Sequence, residues 1–193
     1  MIKNRAISVI VPVYNEEKTI AEVLASLISF PCVDEVICVD DGSTDSTCHR
    51  LKKYQNKINL IRLLKNKGKG YALYRGVMAA KGEIIIFFDS DIVGLAEKDI
   101  KIMVNCLLRG KTKMVLGNPG GAKVLNLYFK SLTGERAFFR RDLLSITEKL
   151  KTSGFGAETY LNSVFKKWVT VKLGCQHLEK FEKGNSKQAL AFI

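Results

Sequence analysis

Between Glu83 and Asp89 the chain holds five large apolar residues in a row, Ile84-Ile85-Ile86-Phe87-Phe88, and then breaks off at two aspartates one residue apart, Asp89 and Asp91. A run without polar alternation leaves neither face for water, so it predicts a strand buried on both sides of a parallel sheet. Such a strand needs helices above and below it, which narrows the fold to an α/β class. In an open sheet of that class, ligands bind in the crevice beyond the carboxyl ends of the strands, where Asp89-Ser90-Asp91 would stand. Two carboxylates at this spacing suit a hard divalent cation that shares its shell with substrate phosphates. They equally suit the first turn of a following helix as caps, and the pair alone does not separate the two readings.

The flanking sequence repeats a strand, loop, helix rhythm. Ala6 to Val13 is a β-rich run closed by Pro12 and followed by Tyr14-Asn15-Glu16-Glu17, after which Ile20, Val23, Leu24, Leu27 and Ile28 fall at helical spacing. Val33 to Val39 is a second strand, emptying into Asp40-Asp41-Gly42-Ser43-Thr44-Asp45 ahead of a helix over Thr47 to Tyr54. Ile58 to Leu64 is a third, and it enters Lys65-Asn66-Lys67-Gly68-Lys69-Gly70, a turn that opens a helix over Tyr71 to Ala80 whose first amides would receive an anion. Beyond the central strand the pattern predicts a helix over Glu97 to Arg109 and a short strand at Met114 to Leu116. The economical fold is a mostly parallel sheet with helices on both faces, Rossmann-like in its alternation.

After Gly117 the rhythm changes. Asn118-Pro119-Gly120-Gly121 is a breaker cluster. A helix over Lys123 to Leu132, an irregular stretch from Thr133 to Phe138, and helices over Asp142 to Leu150 and Thr159 to Lys167 follow. A strand at Trp168 to Leu173 runs into Gly174-Cys175-Gln176-His177, and beyond Leu178 the tail is polar and basic until Ala189 to Ile193.

At 193 residues and 47% hydrophobic content the chain fits one domain with a proper core. No apolar run approaches the roughly 18 residues of a membrane span, and the opening residues lack a signal-peptide cleavage region, so the expectation is a cytoplasmic protein. Five cysteines without a C-x-x-C pair argue against a disulfide framework or a zinc ribbon. The formal charge of +12 calls for an anionic partner. No helix-turn-helix, zinc-finger or RNP-type signature points to nucleic acid, which leaves small phosphorylated substrates or a peripheral contact with an anionic membrane face. Neither G-x-x-x-x-G-K-[ST] nor G-x-G-x-x-G occurs, against a P-loop or nicotinamide enzyme.

Each polar loop alone is a turn signal, but a parallel sheet sets them side by side on one edge. Taken together, Pro12-Val13-Tyr14-Asn15-Glu16-Glu17, Asp40-Asp41-Gly42-Ser43-Thr44-Asp45, Asn66-Lys67-Gly68-Lys69-Gly70 and Asp89-Ser90-Asp91 resemble the signature set of family 2 type glycosyltransferases with the GT-A fold. The resemblance implies transfer of a sugar from a UDP- or GDP-sugar with Mg2+ or Mn2+. It implies one domain over 1–193, with a nucleotide-sugar half to about 117 and an acceptor half from about 118. Pro12, Tyr14, Asn15 and Glu16 would line the nucleoside pocket, Asp41 and Ser43 would sit beside the base, and Lys69 near base or diphosphate. Asp91 would bind the metal directly. Asp89 would contact ribose or metal-bound water, with Ser90 between them on the donor side.

Looser similarities cover the second half. Gly154-Phe155-Gly156-Ala157-Glu158 is similar to the segment that places an acid near the reacting sugar in members related to glucosyl-3-phosphoglycerate synthases and dolichyl-phosphate sugar transferases. Gly174-Cys175-Gln176-His177 is similar to one that supplies a histidine metal ligand, here His177. Thr133-Gly134-Glu135-Arg136 resembles an acceptor loop, with Gly134 and Arg136 on the acceptor. Glu158 has two open roles: taking the acceptor proton in an inverting transfer, or orienting sugar or acceptor in a retaining one. The expected acceptor is small and anionic, phosphoglycerate-like, on the strength of Arg136, Arg140, Arg141 and the His177 segment. A polyprenyl phosphate at the membrane face and a non-catalytic sugar-nucleotide-binding protein are the alternatives, and a homodimer contact stays open. His49, early in a surface helix, is assigned no function.

Overall fold

A computed structural model describes residues 5–120 and 133–177. The expected helix over Lys123 to Leu132, the last residue of the breaker cluster and the basic tail from Leu178 lie outside the described residues. The strands are β1 (Ile7–Val13), β2 (Glu35–Asp40), β3 (Asn59–Arg62), β4 (Ile84–Phe87), β5 (Ile92–Val93), β6 (Met114–Gly120), β7 (Arg136–Phe139) and β8 (Val169–His177). Helices α1 (Ile20–Ser29), α2 (Thr47–Lys52), α3 (Lys69–Ala79), α4 (Glu97–Leu108), α5 (Arg140–Leu144), α6 (Thr147–Lys151) and α7 (Ala157–Val164) connect them, with a short 3-10 turn at Gly154–Gly156.

One sheet runs in the order β3-β2-β1-β4-β7-β6-β8-β5. The first four strands are parallel, as are β6 and β8, whereas β7 runs antiparallel between β4 and β6, and β5 antiparallel to β8. Alternation along each strand splits the core into two layers. Val9, Val11, Ile84, Ile86 and Phe88 face α1 and α4, which present Ile20, Val23, Leu24 and Leu27, and Ile100, Met103, Val104 and Leu107, at the spacing of one helical face. Ile10, Ile37, Ile85 and Phe87 face α3 and the later helices. Each fully buried residue of this size stabilises by about 1.5–3 kcal/mol, so β4, buried on both sides, anchors both layers.

Four sequence expectations need correction. The stretch before Phe138 is not irregular, because Arg136–Phe139 pairs with β4 on one side and β6 on the other. The breaker cluster does not stop β6, which reaches Gly120 with a register shift around Pro119, a residue that cannot donate to the ladder. The helix expected over Asp142 to Leu150 is two helices: Ser145 Oγ donates to Asp142 O and Thr147 Oγ1 to Leu144 O, competing with helical bonding between them. Finally, the last strand continues through His177, so that histidine belongs to a ladder rather than a loop.

Candidate active site

The carboxyl ends of β1, β2 and β4 and the exit of β3 share one edge, and their loops brace one another. Asn15 adopts a left-handed backbone with φ 54°, its Oδ1 accepts from Thr44 N at 2.8 Å, and its N donates to Ser43 Oγ at 3.0 Å. Asn15 and Ser43 thus tie β1 to β2, instead of lining the cavity. Asp41 accepts from Lys67 N and Gly68 N, both at 2.8 Å, so one carboxylate fixes the start of α3. Burial pushes the Asp41 carboxyl up, against the opposing pull of those two amides. Gly42, at φ 74°, is required here, since a Cβ would lie 2.6 Å from the carbonyl carbon of Lys65.

These loops enclose a cavity of about 260 Å³. Pro12, Tyr14, Glu16, Asp41, Lys69, Asp89, Ser90 and Asp91, all expected from the sequence, line it, and the exposed ring of Phe155 stands at its rim. In the cavity wall, Lys69 Nζ lies 2.6 Å from Asp89 Oδ1, and it also lies 2.6 Å from Glu158 Oε1. Burial pushes the lysine down, but the two carboxylates outweigh it and hold the ammonium above its ordinary range. The same ammonium joins the β4 loop to the first turn of α7. That approach needs glycine at two points: a Cβ on Gly68 would lie 3.1 Å from Gly154 Cα, and one on Gly70 2.2 Å from Ser153 Oγ.

Asp89, Asp91 and His177 offer ligand atoms that all lie within 4.8 Å of one another. The ladder arranges this, because Ile92, next to Asp91, is the register partner of His177. His177 Nδ1 lies 3.1 Å from Asp91 Oδ1, and Nε2 lies 3.5 Å from Glu135 Oε1. The hydrogen bond to Asp91, and after it the nearby carboxylate of Glu135, raise the imidazole to about 10, so it carries a proton that a bound cation would displace. Two carboxylates and an imidazole fit a divalent cation, with Glu135 in the place of a carboxylate that orients a metal-ligating histidine. Sequence reasoning passed over Glu135. It is fully buried, its Oε2 accepts from Thr133 Oγ1, and its Oε1 has no hydrogen bond within normal distance.

Gly134 packs on the carboxylate of Asp89. Arg136 departs from the expected acceptor fork: it is fully buried in β7, with Nε donating to Thr133 O at 3.0 Å and a terminal nitrogen to Asn162 Oδ1 at 2.8 Å. Burial lowers the guanidinium to about 10, against the pull of Glu158, Glu135 and Asp89. It lies beneath the crevice as a countercharge. Arg140 and Arg141 follow Phe139, which pairs with Ile84 at the opposite end of β4, so they stand at the other edge of the sheet and do not face this site.

Residues 8–169 match the model of a family described as Glycosyl transferase family 2. A dolichyl-phosphate beta-glucosyltransferase of Dictyostelium discoideum is 33% identical over 158 residues, 74% of this chain and 47% of that protein. A dodecaprenyl-phosphate galacturonate synthase of Rhizobium johnstonii is 32% identical over 124 residues, 60% of this chain and 36% of that protein. The match thus spans less than half the length of either relative. Among solved structures, glucosyl-3-phosphoglycerate synthase from Mycobacterium tuberculosis, in complex with Mn2+, uridine diphosphate and phosphoglyceric acid, superposes with a TM-score of 0.72 at 29% identity, over 90% of this chain and 71% of that one.

Proposed function

Because the chain belongs to glycosyl transferase family 2 and has its GT-A fold, we propose that it transfers a sugar from a UDP- or GDP-sugar to a small anionic acceptor of the phosphoglycerate type. The observation that carries this reading is the Asp89, Asp91 and His177 cluster at a cavity of about 260 Å³ to which Asp89 and Asp91 also belong. Asp89, Asp91 and His177 would hold Mg2+ or Mn2+, which when bound neutralises charge on the departing nucleoside diphosphate. Tyr14 and Pro12 would pack the base, and Glu16 would accept hydrogen bonds from ribose hydroxyls. Lys69, which lines the cavity, holds Glu158 by an ion pair at 2.6 Å, and that carboxylate would serve as a fixed acceptor for the hydroxyl of sugar or acceptor. Asp91 and His177 belong to different halves of the chain, 1–117 and 118–193, so donor and acceptor halves would meet at the metal.

The solved synthase holds phosphoglyceric acid, which favours the small acceptor. Two of the relatives are named for dolichyl and dodecaprenyl phosphates, which favours a polyprenyl phosphate taken at a membrane face, whereas another, of Mycobacterium tuberculosis, is a glucosyl-3-phosphoglycerate synthase. No helix of the described residues is long and apolar enough to cross a membrane. Calorimetry of UDP and GDP with Mn2+ or with chelator, on the wild type and Asp91→Ala, tests the donor site. The expected result is metal-dependent binding of one nucleotide, lost in the variant. No nucleotide binding under any metal condition would overturn the reading and leave a sugar-nucleotide fold without a donor.

A further inference from the structure

The two edges of the sheet differ in charge. The crevice at the carboxyl edge is lined by Glu16, Asp41, Asp89 and Asp91 against Lys69. The basic excess of the chain therefore resides elsewhere. At the opposite edge, where β1, β4, β6 and β8 begin and β7 ends, two adjoining hollows share Phe139 and Arg141. The first, about 290 Å³, is lined by Arg5, Lys81, Glu83, Arg140 and Arg141 around the Phe139 ring. The second, about 650 Å³, adds Lys111, Lys113, Lys166 and Lys167.

Acids do not balance these cations. Glu83 is paired with Arg5 at 3.0 Å, and Asp142 with Lys113 at 3.5 Å. No other acid lines either hollow among the described residues. The guanidiniums of Arg5 and Arg141 lie over Phe139, 5.6 and 5.1 Å from its centroid, which holds two forks in place. Arg140 is fixed by its own N, which donates to Glu83 O at 2.8 Å, yet its buried Nε has no hydrogen-bond partner among the described residues. Phosphate oxygens are the acceptors that a planar guanidinium fork fits best, and Arg140 and Arg141 line the first hollow beside Lys81.

We propose that this edge is a second binding site, taking the phosphoryl group of an anionic ligand, with Arg140 and Arg141 as its fork and Lys81 beside them. It is independent of the donor-site reading, since no residue of the crevice takes part. A soluble phosphorylated molecule and an anionic lipid headgroup present the same group. Exposed Leu144 and Val164, one lining each hollow, leave the approach open to either.

The test uses chelator-treated protein, titrated calorimetrically with inorganic pyrophosphate and, in parallel, sedimented with phosphatidylcholine vesicles with and without phosphatidylglycerol. Variants are Arg140→Gln, at a half-buried position, and the double Lys81→Gln, Arg141→Gln, at two exposed ones. Thermal melts check both. Pyrophosphate binding weakened about tenfold or more in the variants supports the site with a soluble ligand. Phosphatidylglycerol-dependent sedimentation lost in the variants, without pyrophosphate binding, supports it with a lipid headgroup. Absence of both, or binding equal in wild type and folded variants, overturns it.

Discussion

Replacing Gly134 by alanine perturbs the crevice at its most crowded point. A Cβ there would lie 2.2 Å from Asp89 Oδ1 and 2.4 Å from Oδ2, so the carboxylate must withdraw by roughly 1 Å to reach ordinary contact. Asp89 swings on two torsions, which makes the move cheap for the fold, about 1 kcal/mol or less. It is expensive for the site, because the moved carboxylate leaves Lys69 Nζ at 2.6 Å and opens the 4.8 Å ligand cluster. A displacement of about 1 Å costs about 100-fold in rate when it misplaces a reacting group. The assay pairs a thermal melt with calorimetry of Mn2+ in the presence of UDP. Gly134→Ala is expected to melt within a few degrees of wild type while its Mn2+ affinity falls about 10- to 100-fold. Gly156→Ala, where a Cβ meets nothing within 4 Å, serves as the matched control and binds as wild type. A Gly134→Ala chain that is folded and binds Mn2+ within twofold of wild type would refute the reasoning.

Glu135→Gln keeps the shape behind His177 but removes the charge that orients it; Mn2+ affinity should fall about 10- to 100-fold, read by the same calorimetry, with the melt little changed. Gly76→Ala drives a Cβ to 2.4 Å from Ile10 Cγ2 in the core, so urea denaturation should show a loss of about 1–3 kcal/mol without any change in nucleotide affinity at saturating metal. Burial pushes the Cys38 thiol above its ordinary range and that of Cys175 up to about 12. A folded chain that binds these protons more tightly than the unfolded one is stabilised below the ordinary thiol range, near 8.5, and loses that contribution as pH rises above it. At pH 8, Ellman's reagent should therefore leave both unmodified in the native chain and titrate all five thiols in guanidinium.

The sheet was legible where burial is uniform. Ile84–Phe88, Ala6–Val13 and the run ending at Val39 are too apolar to lie anywhere but between two helix layers, and the loops that follow them had to share an edge. The half beyond Gly117 was harder to read for three physical reasons. β7 is four residues long and begins with a buried arginine, which no hydrophobic pattern marks as a core strand. The break between α5 and α6 is made by hydroxyls bonding backward to carbonyls, a contest with the helix that apolar spacing does not register. Glu135 lies next to residues assigned to an acceptor and shows its relation to His177 only when β7 and β8 are brought into one sheet. Arg140 and Arg141 were misplaced because sequence proximity to Arg136 carries no information about strand direction. Three residues along an antiparallel strand lead from one edge of the sheet to the other.

His177 also has a parity. Along β8 it falls in step with Leu173 and Cys175, both buried in the core layer, while Gly174 and Gln176 are exposed. Between Asn118 and Gly120 the β6 ladder advances two residues as β8 advances from Lys172 to Gln176, so the bulge absorbs an even number and leaves the alternation unbroken. The imidazole is thus the next member of a packing series, reaching the crevice where the core runs out. Deleting one residue between Leu173 and His177 would keep the metal-binding side chains in the chain and turn the imidazole to the outer face of the strand, away from the cluster.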